Sequence, residues 1–262
     1  MKAKIKKIAS LLPDNIYNFM VGCYRALRYR YPRVTPMPKN LNSNLLNCYA
    51  WFQNAAQYLH ANRLEGVYAE FGSHEVNTFR MALNTFRMAL NTLGNYKRWG
   101  SCKIHHFYAF DSFAGMPEPQ GIDKQKIWRK GMNFTSEEKL KKICKRDLHR
   151  ITTVKGFYND SLSNYKWNRN HKIGLAYIDS DYYSSAVEVL KFIKDKLAHG
   201  AIVAFDDWNC YCSDPMRGEK RAFHEFRDEL KGKVHFEPFL PISFGGMSFM
   251  FLKKELMGKD IM

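Results

Sequence analysis

The stretch Ile173–Phe226 constrains the fold most. Asp179 ends one apolar run, Ile173-Gly174-Leu175-Ala176-Tyr177-Ile178, and Asp206-Asp207 end the next, Ala201-Ile202-Val203-Ala204-Phe205. Both runs are short, rich in β-formers and stop at acid. Between them Val187, Leu190, Phe192, Ile193 and Leu197 recur at helical spacing, and Gly200 reads as the stop. Strand, helix, strand is a parallel crossover unit, which brings the C-terminal ends of both strands to one sheet edge, where open α/β sheets bind ligands. Asp179, Asp206 and Asp207 are therefore expected to converge. Carboxylates in close company repel unless protons or a cation separate them, and a hard ion such as Mg²⁺ takes oxygen ligands of this kind. Each Asp taken singly also reads as a helix cap.

At 262 residues and 45% apolar, one α/β domain with an added segment is expected. The excess of 41 basic over 25 acidic residues suggests an anionic partner: a phosphorylated or nucleotide-linked substrate, nucleic acid, or a membrane surface. Nine of those bases, against Asp14 alone, fall in residues 1–40. There Ile5, Ile8, Leu12, Ile16, Phe19, Met20, Cys23 and Leu27 draw an apolar helical stripe, bent near Pro13, which suits docking on the domain, on a second subunit or on an anionic membrane. The six cysteines, a Cys210-x-Cys212 pair among them, show no metal spacing and suggest reduced thiols in a cytoplasmic protein. No run is long enough to span a bilayer, and no secretory leader is recognised.

Beyond the Pro32–Pro38 connector, a helix is expected over 43–62 with Leu46, Tyr49, Ala50, Ala56, Tyr58 and Leu59 buried. Residues 66–72 read as the first strand, ending Glu70-Phe71-Gly72, where a Gly lets the backbone turn tightly beside a ligand. The helix behind it repeats Asn77-Thr78-Phe79-Arg80-Met81-Ala82-Leu83 unchanged as residues 84–90. Seven residues add just under two turns, so the buried face continues with roughly 20° of drift. A tolerated tandem duplication is the reading. A second strand, 104–110, ends at Asp111-Ser112, and its His105 and His106 should face opposite sides. Residues 115–133, with Pro117, Pro119, Gly121 and Gly131, form a long loop of the kind that becomes a lid. A helix over 136–147, a strand over 151–156, a helix over 217–230 and strands over 234–239 and 247–252 complete the chain.

These pieces resemble the macrocin O-methyltransferase family, whose members methylate sugar hydroxyls of macrolides and related products using S-adenosylmethionine. The resemblance covers roughly residues 65–226. It rests on Tyr68-Ala69-Glu70-Phe71-Gly72, Phe110-Asp111-Ser112-Phe113-Ala114-Gly115-Met116-Pro117-Glu118-Pro119, Gly156-Phe157-Tyr158-Asn159-Asp160-Ser161-Leu162, Ile178-Asp179-Ser180-Asp181-Tyr182-Tyr183 and the Asp206-Asp207 pair. It implies the class I methyltransferase fold, Rossmann-like, a seven-stranded mostly parallel sheet with an antiparallel last strand and helices on both faces. It implies that Glu70, Gly72 and Ser73 contact the methionine part of the cofactor, Asp111 and Ser112 the ribose, and Phe157, Asp160 and Ser161 the adenine. Mg²⁺ would sit on Asp179, Asp206 and Asp207, and Asp179 or Asp181 would take the hydroxyl proton. One departure stands out: where the family carries a further Gly in its first loop, this chain has Glu75 and Val76.

Two functions follow. One is a Mg²⁺-assisted S-adenosylmethionine-dependent O-methyltransferase for a sugar, a glycoside or a nucleotide-linked metabolite, with a basic extension at 1–40, a catalytic domain at 41–262 and a homo-oligomeric state. The other is a membrane-surface or nucleic-acid-associated protein that keeps the fold and works through its basic arm. No basic block with interleaved aromatics tracks a groove, which disfavours nucleic acid.

Overall fold

A computed structural model of the chain describes residues 42–92 and 103–259. The predicted extension at 1–40 lies outside the described residues.

Seven strands form one sheet: β1 (Glu65–Phe71), β2 (Lys103–Asp111), β3 (Ile151–Lys155), β4 (Ile173–Ile178), β5 (Leu197–Phe205), β6 (Val234–Pro241) and β7 (Met247–Lys253). Their order is β3-β2-β1-β4-β5-β7-β6. The first five pair in parallel and β7 is antiparallel to both its neighbours. This is the expected class I methyltransferase sheet. Alternation along the strands divides the core between its faces. Val67, Ala69, Phe71, Ala176, Ile178, Val203 and Phe205 face helices α5 (Tyr183–Ile193) and α6 (Gly218–Glu229), with α4 (Tyr158–Asn164) beside them. Tyr68, Phe107, Leu175, Tyr177 and Ile202 face α1 (Ser43–Ala61) and α2 (Asn77–Thr92), with Leu140 of α3 (Glu137–Ile143). Asn42 caps α1 and Ser136 caps α3, each side chain accepting a backbone N–H three residues on.

Three local expectations are corrected. The buried side of α1 is Cys48, Trp51, Phe52, Ala55, Ala56, Leu59 and His60, while Leu46 is half exposed. The largest side chains take the deepest places: Trp51 and Phe52 pack their rings 5.8 and 5.6 Å from that of Tyr177, and Trp51 Nε1 donates to Ser248 Oγ at 3.0 Å. Leu197 and Gly200 belong to β5 and not to the helix before it. Gly200 sits at φ 79° inside the strand, where a Cβ would come within 2.8 Å of the Leu64 side chain. Finally, His105 and His106 do not face apart. Gly66 pairs with Ile104 and Val67 with His106, so His105 is the extra residue of a bulge, and both imidazoles meet His171, at 5.2 and 5.5 Å between ring centres.

The repeat forms one continuous helix, α2. Phe79 of the first copy and Phe86 of the second both pack on Tyr68, at 5.9 and 6.5 Å, and on Phe107, at 6.3 and 6.2 Å. The predicted continuity of the buried face is what these distances describe.

The long loop is tied at both ends. Met116 and Gly131–Met132 exchange backbone hydrogen bonds of 2.8 and 2.9 Å. The buried Asp123 carboxylate accepts the N–H groups of Tyr183 and Ser184, capping α5 from sixty residues away. Arg217 donates to the carbonyls of Ile122 and Lys124.

Candidate active site

The C-terminal ends of β1, β2 and β4 open into a cleft that is partly open to solvent. Gly72 turns the chain out of β1 at φ 96°, and a Cβ there would stand 1.9 Å from the Asp179 carbonyl oxygen. No other residue fits between these strand ends. Val76, four residues on, adopts φ 64° although it is β-branched, and it is fully buried. The turn that favours Gly is thus made by a residue whose packing offsets its strain. Asp111 ends β2 and organises the loops around it: Oδ2 accepts Ser73 N–H and Oδ1 accepts Phe113 N–H, each at 2.7 Å. Burial raises its pKa, against the pull of these two N–H groups and of His74. Ser112 Oγ donates to Gly115 O and accepts Ala114 N–H. Ser73 Oγ is buried with no hydrogen-bond partner. A backbone cradle that admits only Gly, an orphaned hydroxyl and an oriented carboxylate fit a nucleoside cofactor with a charged amino-acid end.

At the far end of the cleft stand the acids. Asp179, Asp181 and Asp207 offer ligand oxygens that lie within 4.8 Å of one another. The expected trio was Asp179, Asp206 and Asp207. Asp206 instead accepts the Tyr177 hydroxyl. Asp181 takes its place in the trio because the chain turns left-handed there, at φ 58°, and its N–H donates to Asp207 Oδ2 at 3.2 Å. Asn133, from the loop, donates to Asp181 Oδ2 at 3.3 Å. Loss of water around the cluster, with repulsion from the neighbouring acids, pushes Asp179 well above the usual carboxylate range. Burial pushes Asp181 and Asp206 up to about 6 and Asp207 to about 7. Among the described residues every ion pair lies elsewhere. Half-buried acids with no basic partner are the donor set a divalent cation takes.

Glu219, at the start of α6, completes the cluster and is invisible in the sequence motifs. It is fully buried; Oε1 accepts Ser180 N–H at 3.1 Å and Ser180 Oγ at 3.2 Å, and Oε2 accepts Asp207 N–H at 3.0 Å. One side chain thereby fixes the loops after β4 and β5 against each other.

Of the sequence-selected residues, Gly72, Asp111, Ser112, Phe157, Asp179 and Asp181 line the cleft. Glu70 lies beneath it, wholly buried, accepting the hydroxyls of Tyr68 and Thr78, and burial pushes its pKa up to about 8. Asp160 is exposed on the first turn of α4, and Ser161 Oγ donates to Gly156 O at 3.1 Å. His74, Met116, Asn133 and Tyr158 line the cleft as well. The first three sit on loops that carry no periodic signal.

The profile of the macrocin-O-methyltransferase (TylF) family matches residues 87–237, more than half of the chain. Among curated proteins nothing matches. Among solved structures the fold is similar to that of CalS11, described as a calicheamicin methyltransferase, with TM-score 0.60 and 22% identity over 80% of each chain. It is similar to the O-methyltransferase NovP, with TM-score 0.58 and 17% identity over 79% of this chain and 80% of that one. It also resembles an O-methyltransferase from Bacillus cereus, solved with S-adenosylhomocysteine, at TM-score 0.50 and 11% identity over 96% and 97%. With its sheet order and the match over more than half its length, the chain belongs to the macrocin-O-methyltransferase family and is an S-adenosylmethionine-dependent O-methyltransferase.

Proposed function

We propose that this enzyme methylates a hydroxyl of a sugar-bearing small molecule, a glycoside or a nucleotide-linked sugar, with Mg²⁺ held by the acid cluster. The observation that carries the reading is the placement of Asp179 and Asp181 on the walls of the same cleft as Gly72 and Asp111. The similarity to CalS11, whose substrate is named as TDP-rhamnose in a second structure at TM-score 0.52 and 21% identity, points the same way for the acceptor. When bound, S-adenosylmethionine supplies a sulfonium-activated methyl group and Mg²⁺ supplies charge that lowers the pKa of a hydroxyl beside it.

The chain's own residues then bind and orient. Gly72 and Ser73 hold the methionine end, with Glu70 bracing the loop from below. Asp111 and Ser112 hold the ribose, and Phe157 forms the adenine wall with Asp160 and Ser161 on the turn behind it. Asp179, Asp181 and Asp207 hold the metal, with Asp206 as the adjoining acid. Asp181 receives the hydroxyl proton, since it lines the cleft and is held there by Asn133. Asp179 is the other candidate. The division into an extension at 1–40 and a catalytic domain at 41–262, and a homo-oligomeric state, belong to the same proposal.

The test is methyl transfer to a panel of diol-bearing glycosides and nucleotide sugars, with EDTA and with Asp207→Asn. Turnover should vanish in both, and Mg²⁺ should restore only the first, while S-adenosylhomocysteine still binds. Full activity in EDTA would leave the acids as loop anchors and remove the metal from the mechanism.

A further inference from the structure

The loop between Met116 and Phe134 carries more than the cleft requires. Four of its apolar side chains are exposed: Ile127 is 64% exposed, Phe134 57%, and Ile122 and Met132 37% each. Isolated exposed apolar residues are ordinary, but a cluster on one short segment is not. Interleaved with them are Lys124, Lys126, Arg129 and Lys130, all exposed and none in an ion pair among the described residues. Of the two acids in this loop, Glu118 is exposed ahead of Gly121, while Asp123 is buried and already accepts the N–H groups of Tyr183 and Ser184. The segment is held out in this form. Asp123 anchors one end, the Met116–Gly131–Met132 bonds anchor the other, and Arg217 pins the carbonyls of Ile122 and Lys124. Met216, next to Arg217, adds another exposed side chain, at 63%.

We propose that Gly121–Phe134 docks the enzyme on an anionic lipid surface. Apolar side chains that enter the headgroup boundary, with cations among them, are what an interfacial element needs. The partner is argued from charge. A second copy of this chain would bring the same four cations, and the whole chain carries +16, so self-association through this face opposes like charges. A nucleic acid would satisfy the cations but leave Ile127 and Phe134 unpaired. An anionic bilayer satisfies both sets. Because Met116 and Asn133 of the same loop line the cleft, a docked loop sets the cleft mouth at the lipid surface.

The test is co-sedimentation of the full chain with vesicles of phosphatidylcholine, with and without phosphatidylglycerol. Binding should require the anionic lipid and weaken with salt. Replacing Lys124, Lys126 and Lys130 together by Gln should weaken partitioning by about fivefold per cation, roughly 100-fold in all. Ile127→Ser with Phe134→Ser should weaken it with the charge untouched. Trp128, in the same segment, supplies a second readout: brominated lipid should quench the wild type more than Trp128→Phe. Unaltered melting of the variants checks that the fold is kept. Vesicle binding that survives both sets of substitutions would place the contact in the basic arm and overturn the proposal. Absence of vesicle binding, or binding only to an acidic protein, would overturn it too.

Discussion

At the acid cluster, five carboxylates (Asp179, Asp181, Asp206, Asp207 and Glu219) share two strand ends and the start of one helix. The pKa values of all five are raised, Asp181 and Asp206 to about 6 and Asp207 to about 7. An acid whose folded pKa exceeds its unfolded value binds more protons folded than unfolded between the two. Its contribution is full below about pH 4 and is lost as pH rises through 6 to 7. A divalent cation acts in the opposite sense, since it binds the ionised cluster. The melting temperature gained on adding Mg²⁺ should therefore grow from pH 5 to pH 8, and Asp207→Asn should flatten that growth. A Mg²⁺ shift independent of pH, or unaffected by the substitution, would count against the cluster as the binding site. Part of this site is legible in the residues: an acid that ends an apolar run is visible at Asp179, Asp206 and Asp207. Asp181 depends on a left-handed turn that no periodicity encodes, and Glu219 lies 39 residues from the Ser180 it holds.

Elements were easier to read than faces. Strands β1, β4 and β5 stand out as short apolar runs because the middle of a parallel sheet is covered on both sides. The register of α1 is not legible, because Leu46 and Trp51 are equally apolar in a pattern and partners far along the chain, Tyr177 and Ser248, decide between them. For α2 the repeat makes a quantitative expectation. Residues 91–93, Asn-Thr-Leu, continue the Asn-Thr-Phe that opens each copy. Excising residues 84–90 therefore restores an Asn and a Thr in place of Asn84 and Thr85, keeping the Thr85 hydroxyl that accepts from Gln53 at 3.0 Å. It puts Leu where Phe86 packs. The loss is one ring's worth of core contact, about 1–3 kcal/mol, and a lower melting temperature by several degrees. S-adenosylhomocysteine affinity, measured by calorimetry, should be unchanged, because Glu70, Gly72 and Thr78 lie ahead of the excision. A variant that does not fold would make both copies indispensable.

For the whole molecule, the described residues carry a sheet covered on both faces, with α1 already capped by Asn42, whose Oδ1 accepts Leu45 N–H at 2.9 Å. A chain beginning at Asn40 should therefore melt cooperatively and bind S-adenosylhomocysteine as the full chain does. Insolubility, or non-cooperative melting, would make the basic arm part of the core. The sheet has one further consequence. β7 lies between β5 and β6, pairing Ala201–Phe205 with Met247–Phe251. During synthesis, β5 emerges with one flank open until roughly forty more residues have left the ribosome. That open flank ends at Asp206 and Asp207, so the acids emerge before β7 exists to pair the strand that carries them. A nascent chain halted after α6 would expose an unpaired, wholly apolar strand edge, ready to recruit another chain.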